Sequence, residues 1–395
     1  MYDYLKLPHV SIPNLESPSL PNSIYDQYEE VNRLIIIGNG FDLAHGLKTS
    51  FKDFIEDYFY SILKNIKDDL KHEDPLISIT SKGYIDQLIP GINLIQPDRA
   101  YKELKKLMKS GILTTHWKSD ILDAICNDID DKNWVDIELI YFDLLKEANK
   151  SNNEKSINDL NCEMTYLKKK LICYLKREVE NQKTNYESNL NSYLRLANQF
   201  LEPISILEVQ PNTIRKETKP SFITILNFNY THTPKYYFKE FKGQNYDYIS
   251  IHGELEGNDN DSQSPIFGFG DELDEEYLKF ELQNNDNLYE HIKSFKYLQF
   301  DHYRKLLEFI EGLPFQVHLY GHSCGLSDRT MLSTIFENEN CISIKIFFHE
   351  KKSGNDYEKK TFAISRHFKS KASLRSKVVN KRYCSPMVQP VSDSE

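Results

Sequence analysis

The chain has six cysteines in 395 residues, at positions 126, 162, 173, 324, 341 and 384, and none form a Cys-x-x-Cys pair. Their spacing matches neither a zinc site nor a disulfide framework, so reduced thiols and no bound metal are expected. No apolar run approaches the ~18 residues that a membrane span needs. The first residues, MYDYLKLPHVSIPNLESPSLPNS, lack the basic region and apolar run of a signal peptide. A soluble, cytoplasmic protein without a membrane partner is the expectation. There is also no His-Glu-x-x-His, no Walker loop and no internal repeat. Excess positive charge is missing too: 49 Lys+Arg face 59 Asp+Glu, a net charge of −10, which argues against a general nucleic-acid binder.

Aromatic residues are plentiful. With 22 Phe and 25 Tyr the chain can build a sizeable core, which excludes wholesale disorder. Residues 1–30 carry four prolines and read as an extended arm. RLIIIG (33–38) reads as a fully buried strand. From 50 to 209 the pattern is helical: Phe51, Phe54, Ile55, Tyr58 and Phe59 share one face, as do Trp134, Ile137, Tyr141, Leu144 and Leu145, and Leu160, Met164, Leu167, Leu171 and Leu175. Strand signals return at 222–227, 246–251, 265–268, 316–320 and 342–348, with helical stretches near 287–311 and 326–338. This order predicts an α/β protein with a mostly parallel, Rossmann-like sheet interrupted by a large all-helical insertion. The expected parts are an arm (1–30), a discontinuous core (31–51 and 219–365), the insertion (52–218) and a basic, flexible tail (366–395). The last 45 residues carry 11 Lys+Arg against 4 Asp+Glu, leaving −17 on the first 350. That tail is the one segment expected to contact nucleic acid, if any does.

The sharpest chemical signal is Ile37-Gly38-Asn39-Gly40-Phe41-Asp42-Leu43-Ala44-His45-Gly46-Leu47, directly after the first strand. Gly38 and Gly40 permit a tight turn and close approach of main-chain N–H groups to a phosphate, although the third glycine comes too late for G-x-G-x-x-G. A plain strand–turn–helix reads equally well from these residues alone. Polar groups follow other strand ends: Asn227, Asn229, Tyr230 and Thr231 after FITIL, His252 after YDYISI, and Gly321, His322 and Ser323 after QVHLY, with Asp328 beyond. The carboxyl edge of a parallel sheet is where a dinucleotide site is built. Gly321-His322-Ser323-Cys324-Gly325 also fits the nucleophile elbow of α/β-hydrolases. The 72 residues after Ser323 leave too little room for the remaining strands, an acid (Asp328 or Asp356) and a histidine (His349 or His367). Asp136 and Glu138 read as surface or capping groups.

The segments IIIGNGFDLAHGLKTSFKDF (35–54), Trp134-Val-Asp-Ile-Glu138, ILNFNYTHT (225–233), IHGELEG (251–257), FGFG (267–270) and YGHSCGLSD (320–328) resemble the AbiH family of bacteriophage abortive-infection proteins. That family in turn resembles the sirtuin-like (SIR2) NAD-binding fold. Gly38-Asn39-Gly40, five residues, then Gly46 is similar to the sirtuin glycine loop; Asn227-Phe228-Asn229-Tyr230-Thr231 resembles its asparagine element, and His252-Gly253 its His-Gly. Asp42 stands where sirtuins often have Ser, Thr231 replaces an Asp, and the four-cysteine zinc ribbon is missing, which argues against protein deacylation.

The resemblance implies an abortive-infection effector that binds NAD+ as substrate, not as cofactor, and hydrolyses it to nicotinamide and ADP-ribose. Gly38, Asn39, Gly40, Phe41 and Gly46 would hold the pyrophosphate. Asn229 would hydrogen-bond ribose hydroxyls or the attacking water, and His252 would accept a proton. Asn227 and Tyr230 would line the site, Ser323 and Asp328 would touch the adenosine half, and Asp42 would cap the next helix or contact a ribose. The insertion would sense a phage or host trigger protein or mediate homo-oligomer assembly. Two alternatives stand beside this reading: a non-catalytic nucleotide-binding sensor or adaptor, and a nucleic-acid-directed toxin acting through the basic tail.

Overall fold

The computed structural model describes residues 28–84, 96–132, 136–181, 189–256 and 264–391. The chain opens with β1 (Asn32–Ile37) and the short α1 (Asn39–Ala44). A long excursion follows: α2 (Phe51–Asp69), β2 (Lys71–Glu73), β3 (Ile77–Ser81), α3 (Ala100–Lys109), β4 (Leu113–Trp117), α4 (Asp120–Lys132), α5 (Ile137–Lys150), α6 (Glu154–Asn181) and α7 (Leu190–Leu201). Then come β5 (Ile223–Asn227), β6 (Tyr246–Ser250), α8 (Glu275–Glu281), α9 (Lys293–Tyr297), α10 (His302–Gly312), β7 (Phe315–Tyr320), α11 (Arg329–Glu337), β8 (Cys341–Phe347), α12 (Tyr357–Ser365) and α13 (Lys371–Lys377).

β1, β5, β6, β7 and β8 form one parallel sheet in the order β6-β5-β1-β7-β8. β1 is buried on both faces, which is why its sequence is a continuous apolar run. Leu34, Ile36, Val317, Leu319, Ile344 and Ile346 pack against α10 and α11 on one side. Ile35, Ile37, Ile223, Ile225, Tyr320 and Phe347 pack against α7 and the 3-10 segment Thr233–Glu240 on the other. Residues 190–218 therefore lie on the central sheet: Phe200 is in its core, and Ile204 and Ile214 pack with Val31 and Ile342. Glu202 and Glu208 reach the buried Lys345 at 2.5 and 2.6 Å.

The excursion is not all-helical as expected. β2, β3 and β4 form an antiparallel sheet, with Ile77 opposite Trp117 and His72 opposite Ile79. Its core, led by Phe54, Ile55, Phe59, Leu104, Tyr141 and Leu167, continues into Phe267, Phe269, Phe280 and Ile292. The Phe142 and Phe269 rings stack at 3.8 Å, so the later 264–292 segment joins this second core. Trp134 lies outside the described residues. The expected strand at 265–268 is instead an irregular buried segment, followed by a lone bridge from Phe269 to Ile292. The expected helix at 287–311 is broken into short pieces, because Asn285 and Asp301 begin new turns.

The segment expected as a flexible basic tail is folded as far as residue 391. Bridges Ile344↔Val378 and Phe348↔Pro386 run it alongside β8, Met387 is buried, and Lys377 donates to the carbonyls of Phe336 (3.0 Å) and Asn338 (2.7 Å) at the end of α11. It covers an edge strand that would otherwise present open backbone groups. The expected arm lies outside the described residues up to residue 27. Among the described residues no helix is long and apolar enough to cross a membrane.

Candidate functional site

The carboxyl ends of β1, β5, β6 and β7 converge on one edge, and that edge gathers most of the candidate residues. The loops after β1 and β7 touch backbone to backbone. A Cβ on Gly38 would lie 2.4 Å from the Cα of His322, one on Gly40 2.8 Å from the Cα of Gly321, and one on Gly321 2.1 Å from the nitrogen of Phe41. Gly321 also has φ +67°, so only glycine suits it on both counts. Gly38 N–H donates to Tyr320 O (3.0 Å), Gly40 N–H to Gly321 O (2.9 Å) and Phe41 N–H to Gly38 O (2.8 Å). These are donors assigned to a phosphate by the sequence, and here those of Gly38 and Gly40 tie the loop to the end of β7, while that of Phe41 closes the first turn of its own loop. Asn39 accepts from Thr49 Oγ1 at 2.5 Å, and Gly46 closes α1 by donating to Leu43 O, away from the other candidates.

After β5, Asn227 is fully buried. Its Nδ2 contacts the carbonyls of Asn229 (3.1 Å) and Thr231 (2.8 Å) and the hydroxyl of Tyr248 (2.9 Å), so its role is to shape the turn. Asn229 Nδ2 donates to Gly38 O at 3.2 Å, joining the asparagine element to the glycine loop. Tyr230 donates to Ile266 O at 2.7 Å. Asp42 does not cap the following helix: it lies within α1, buried, and accepts from Thr231 Oγ1 at 2.7 Å. Burial pushes its carboxyl up to about 6, against the hydrogen bonds from Thr231, Thr233 and Asn229.

The ends of β6 and β7 lead into a buried polar cluster. His252 Nδ1 lies 3.1 Å from the Phe228 carbonyl, which can only accept, so Nδ1 carries the proton. Nε2 then faces the hydroxyl of Tyr297 at 3.0 Å and Asp328 Oδ1 at 3.4 Å. Asp328 also takes Lys293 Nζ at 2.9 Å and lies 3.7 Å from His322 Nε2. Lys293 Nζ reaches the Glu138 carboxylate at 2.9 Å, whose other oxygen accepts from Gly268 N–H at 3.0 Å. Burial lowers the affinity of His252 for a proton and Lys293 lowers it further, against Asp328, so the ring is neutral at neutral pH. Burial and nearby cations likewise push His322 down to about 3. Burial alone would raise Asp328, but the Lys293 ammonium holds it well below the usual carboxylate range. Burial raises Glu138 despite Lys293.

Asp328 thus stands beside His252 rather than in a separate half of the site. Ser323 is exposed, and the non-glycine residue with positive φ in its loop is Cys324 (φ 53°), whose carbonyl lies 2.9 Å from His367 Nε2. That is not the geometry of an activated serine. Asp136 caps α5 by accepting from Leu139 N–H, as a capping group should, but Glu138 is buried and ion-paired, not at the surface. Sequence reasoning missed Lys293 and Tyr297, gave Glu138 only a surface or capping role, and named His322 at the end of its strand without assigning it a function. Glu138 and His322 at least sit inside quoted segments, whereas nothing around Lys293 marks it out. Among the described residues no group of three or more His, Cys, Asp or Glu is arranged to hold a metal ion.

A family model described as "Bacteriophage abortive infection AbiH" matches residues 34–350, which span β1 to the end of β8 and contain every residue of the cluster. No curated protein matches the chain.

Proposed function

The chain belongs to the AbiH family of bacteriophage abortive-infection proteins, which implies a role in phage defence, and we propose that it acts there by binding NAD+ and hydrolysing it. The observation that carries this reading is the strand order. Counting only the central sheet, it runs third, second, first, fourth, fifth, the order of doubly wound dinucleotide-binding sheets, and the candidate residues sit at the carboxyl edge where that order reverses. The sirtuin-like assignment rests on the same order and on the asparagine and His-Gly elements.

In this reaction the bond between nicotinamide and ribose C1′ breaks, nicotinamide leaves as a neutral group, and water adds to C1′. The water's proton goes to His252 Nε2, the ring nitrogen that carries no proton, once bound water takes the place of the Tyr297 hydroxyl 3.0 Å away. Asn229 orients the ribose or the water. The pyrophosphate role of the glycine loop requires Gly38 and Gly40 to release the carbonyls of Tyr320 and Gly321, so substrate entry separates the loops after β1 and β7. A trigger acting through the 52–218 region supplies that separation in this reading, as does assembly into a homo-oligomer. A second reading, a sensor that binds the nucleotide without consuming it, needs the same separation of the loops and differs only in the chemistry at His252.

Cellular NAD+ followed through infection in cells expressing wild type or His252→Ala separates the two. The pool falls with wild type, and the variant spares it and loses protection. A constant pool during wild-type protection rejects hydrolysis and leaves the sensor.

A further inference from the structure

The buried charges beside His252 do not all come from the central sheet. Glu138 stands in the first turn of α5, inside the block inserted between β1 and β5, while Lys293 begins α9 and Asp328 precedes α11. Lys293 is 1% exposed and bridges the two carboxylates, each at 2.9 Å. The far end of that bridge meets His252 Nε2 at 3.4 Å. A lone buried ion cluster is a poor stabilising device, because desolvation offsets most of the attraction. Its position is informative: it connects the inserted block to the one imidazole expected to move a proton.

We propose that Glu138 and Lys293 are positioning residues of this site, and that the chain Glu138–Lys293–Asp328–His252 lets the inserted block set the orientation and charge of His252. The groups facing His252 are Lys293 and Tyr297 of α9, Asp328, His322 after β7, and Tyr230 and the Phe228 carbonyl after β5. Lys293 is the cation that bears directly on the ring, and Glu138 partly neutralises it. In its ionised form Glu138 opposes that cation at 2.9 Å, so replacing the carboxylate by an amide makes a protonated His252 less favourable. Removing Lys293 makes it more favourable, because Asp328 is left unopposed. An ion pair that acts only on folding, without reaching His252, leaves the His252 midpoint where it is.

The test is NMR titration of the full chain carrying 13C-labelled histidine, with the His252 signal assigned by its loss in His252→Gln. Glu138→Gln should lower the His252 midpoint and Lys293→Met should raise it. If Lys293→Met does not fold, the double variant Glu138→Gln/Lys293→Met avoids two unpaired buried carboxylates and should also raise it. Unmoved midpoints, or shifts of the same sign in the two single variants, overturn the proposal. In its activity arm the proposal rests on the NAD+ hydrolysis reading. There the acid limb of kcat/KM for NAD+ should follow the His252 midpoint, with a loss of roughly tenfold or more in Lys293→Met. The two readings fail separately. Opposite shifts in a protein that never consumes NAD+ support this chain and reject hydrolysis. Turnover with unmoved midpoints rejects this chain alone.

Discussion

At the scale of single residues, Asp42 carries the clearest pH signature. Its carboxyl is raised from 3.8 to about 6, so the native state holds that proton more tightly than the unfolded chain does. The stability this contributes is full below about pH 4 and is lost as pH rises through about 6. Other groups titrate in the same range, so the difference between wild type and Asp42→Asn is the useful quantity. The isosteric amide cannot ionise and still accepts from Thr231. Relative to wild type, Asp42→Asn should gain stability between pH 4 and 7, on the order of 3 kcal/mol, measured by urea unfolding at each pH. No change in the difference across that interval would contradict a buried, ionising Asp42. The residue types at the strand ends were legible in the sequence because an apolar run followed by glycine or asparagine marks a strand leaving the core. The partners of those residues were not. Lys293 is 155 residues from Glu138 and 35 from Asp328, and such pairing has no local signal.

At the scale of elements, the five parallel strands were legible because each carries a short stretch rich in Ile, Leu, Val, Phe and Tyr, clearest in β1, although β6 is half exposed and β7 and β8 bury Gln316, His318, Ser343 and Lys345. β2 and β4 were not: Lys-His-Glu and Leu-Thr-Thr-His-Trp make strands only because β3 lies between them to pair with both. The C-terminal segment was misread for a related reason. Its charge is real, with Lys369, Lys371, Arg375, Lys381 and Arg382 exposed, but the backbone beneath follows β8. Val379 N–H donates to Ile344 O at 2.9 Å and Met387 N–H to Phe348 O at 2.8 Å. Deleting 366–395 should therefore cost on the order of 3 kcal/mol or more, from the lost burial of Phe368, Val379 and Met387. It should also lower the melting temperature seen by circular dichroism. A deletion with unchanged melting would mean that these contacts contribute nothing to stability.

For the whole molecule, the question is whether the inserted block is an independent unit. The block's apolar core includes Phe267, Phe269, Phe280 and Ile292, which the chain supplies only after β6. The ion chain from Glu138 to Asp328 ties the same two regions. Both tryptophans, 117 and 134, lie within the 52–218 region, so tryptophan fluorescence reports that region while far-ultraviolet circular dichroism reports the whole chain. The two should give one coincident unfolding transition. Phe269→Ala, which removes the ring stacked on Phe142, should shift both together by roughly 3–5 kcal/mol. Separate transitions, or a shift in fluorescence alone, would show that the block unfolds by itself.

By itself the sequence determined the parallel α/β core, the placement of Gly, Asn and His at strand ends, and the family. Those features depend on local runs and short segments, above all Leu34 to Ile37 of β1, which is buried on both faces. Only the tertiary structure decided which charges meet. Lys293 could be buried only where two carboxylates stood ready to compensate it, one from the inserted block and one from beyond β7. It also decided that the glycine loops close on each other and that the basic segment folds along β8, because main-chain donors and an open sheet edge take whatever partner the fold brings within reach.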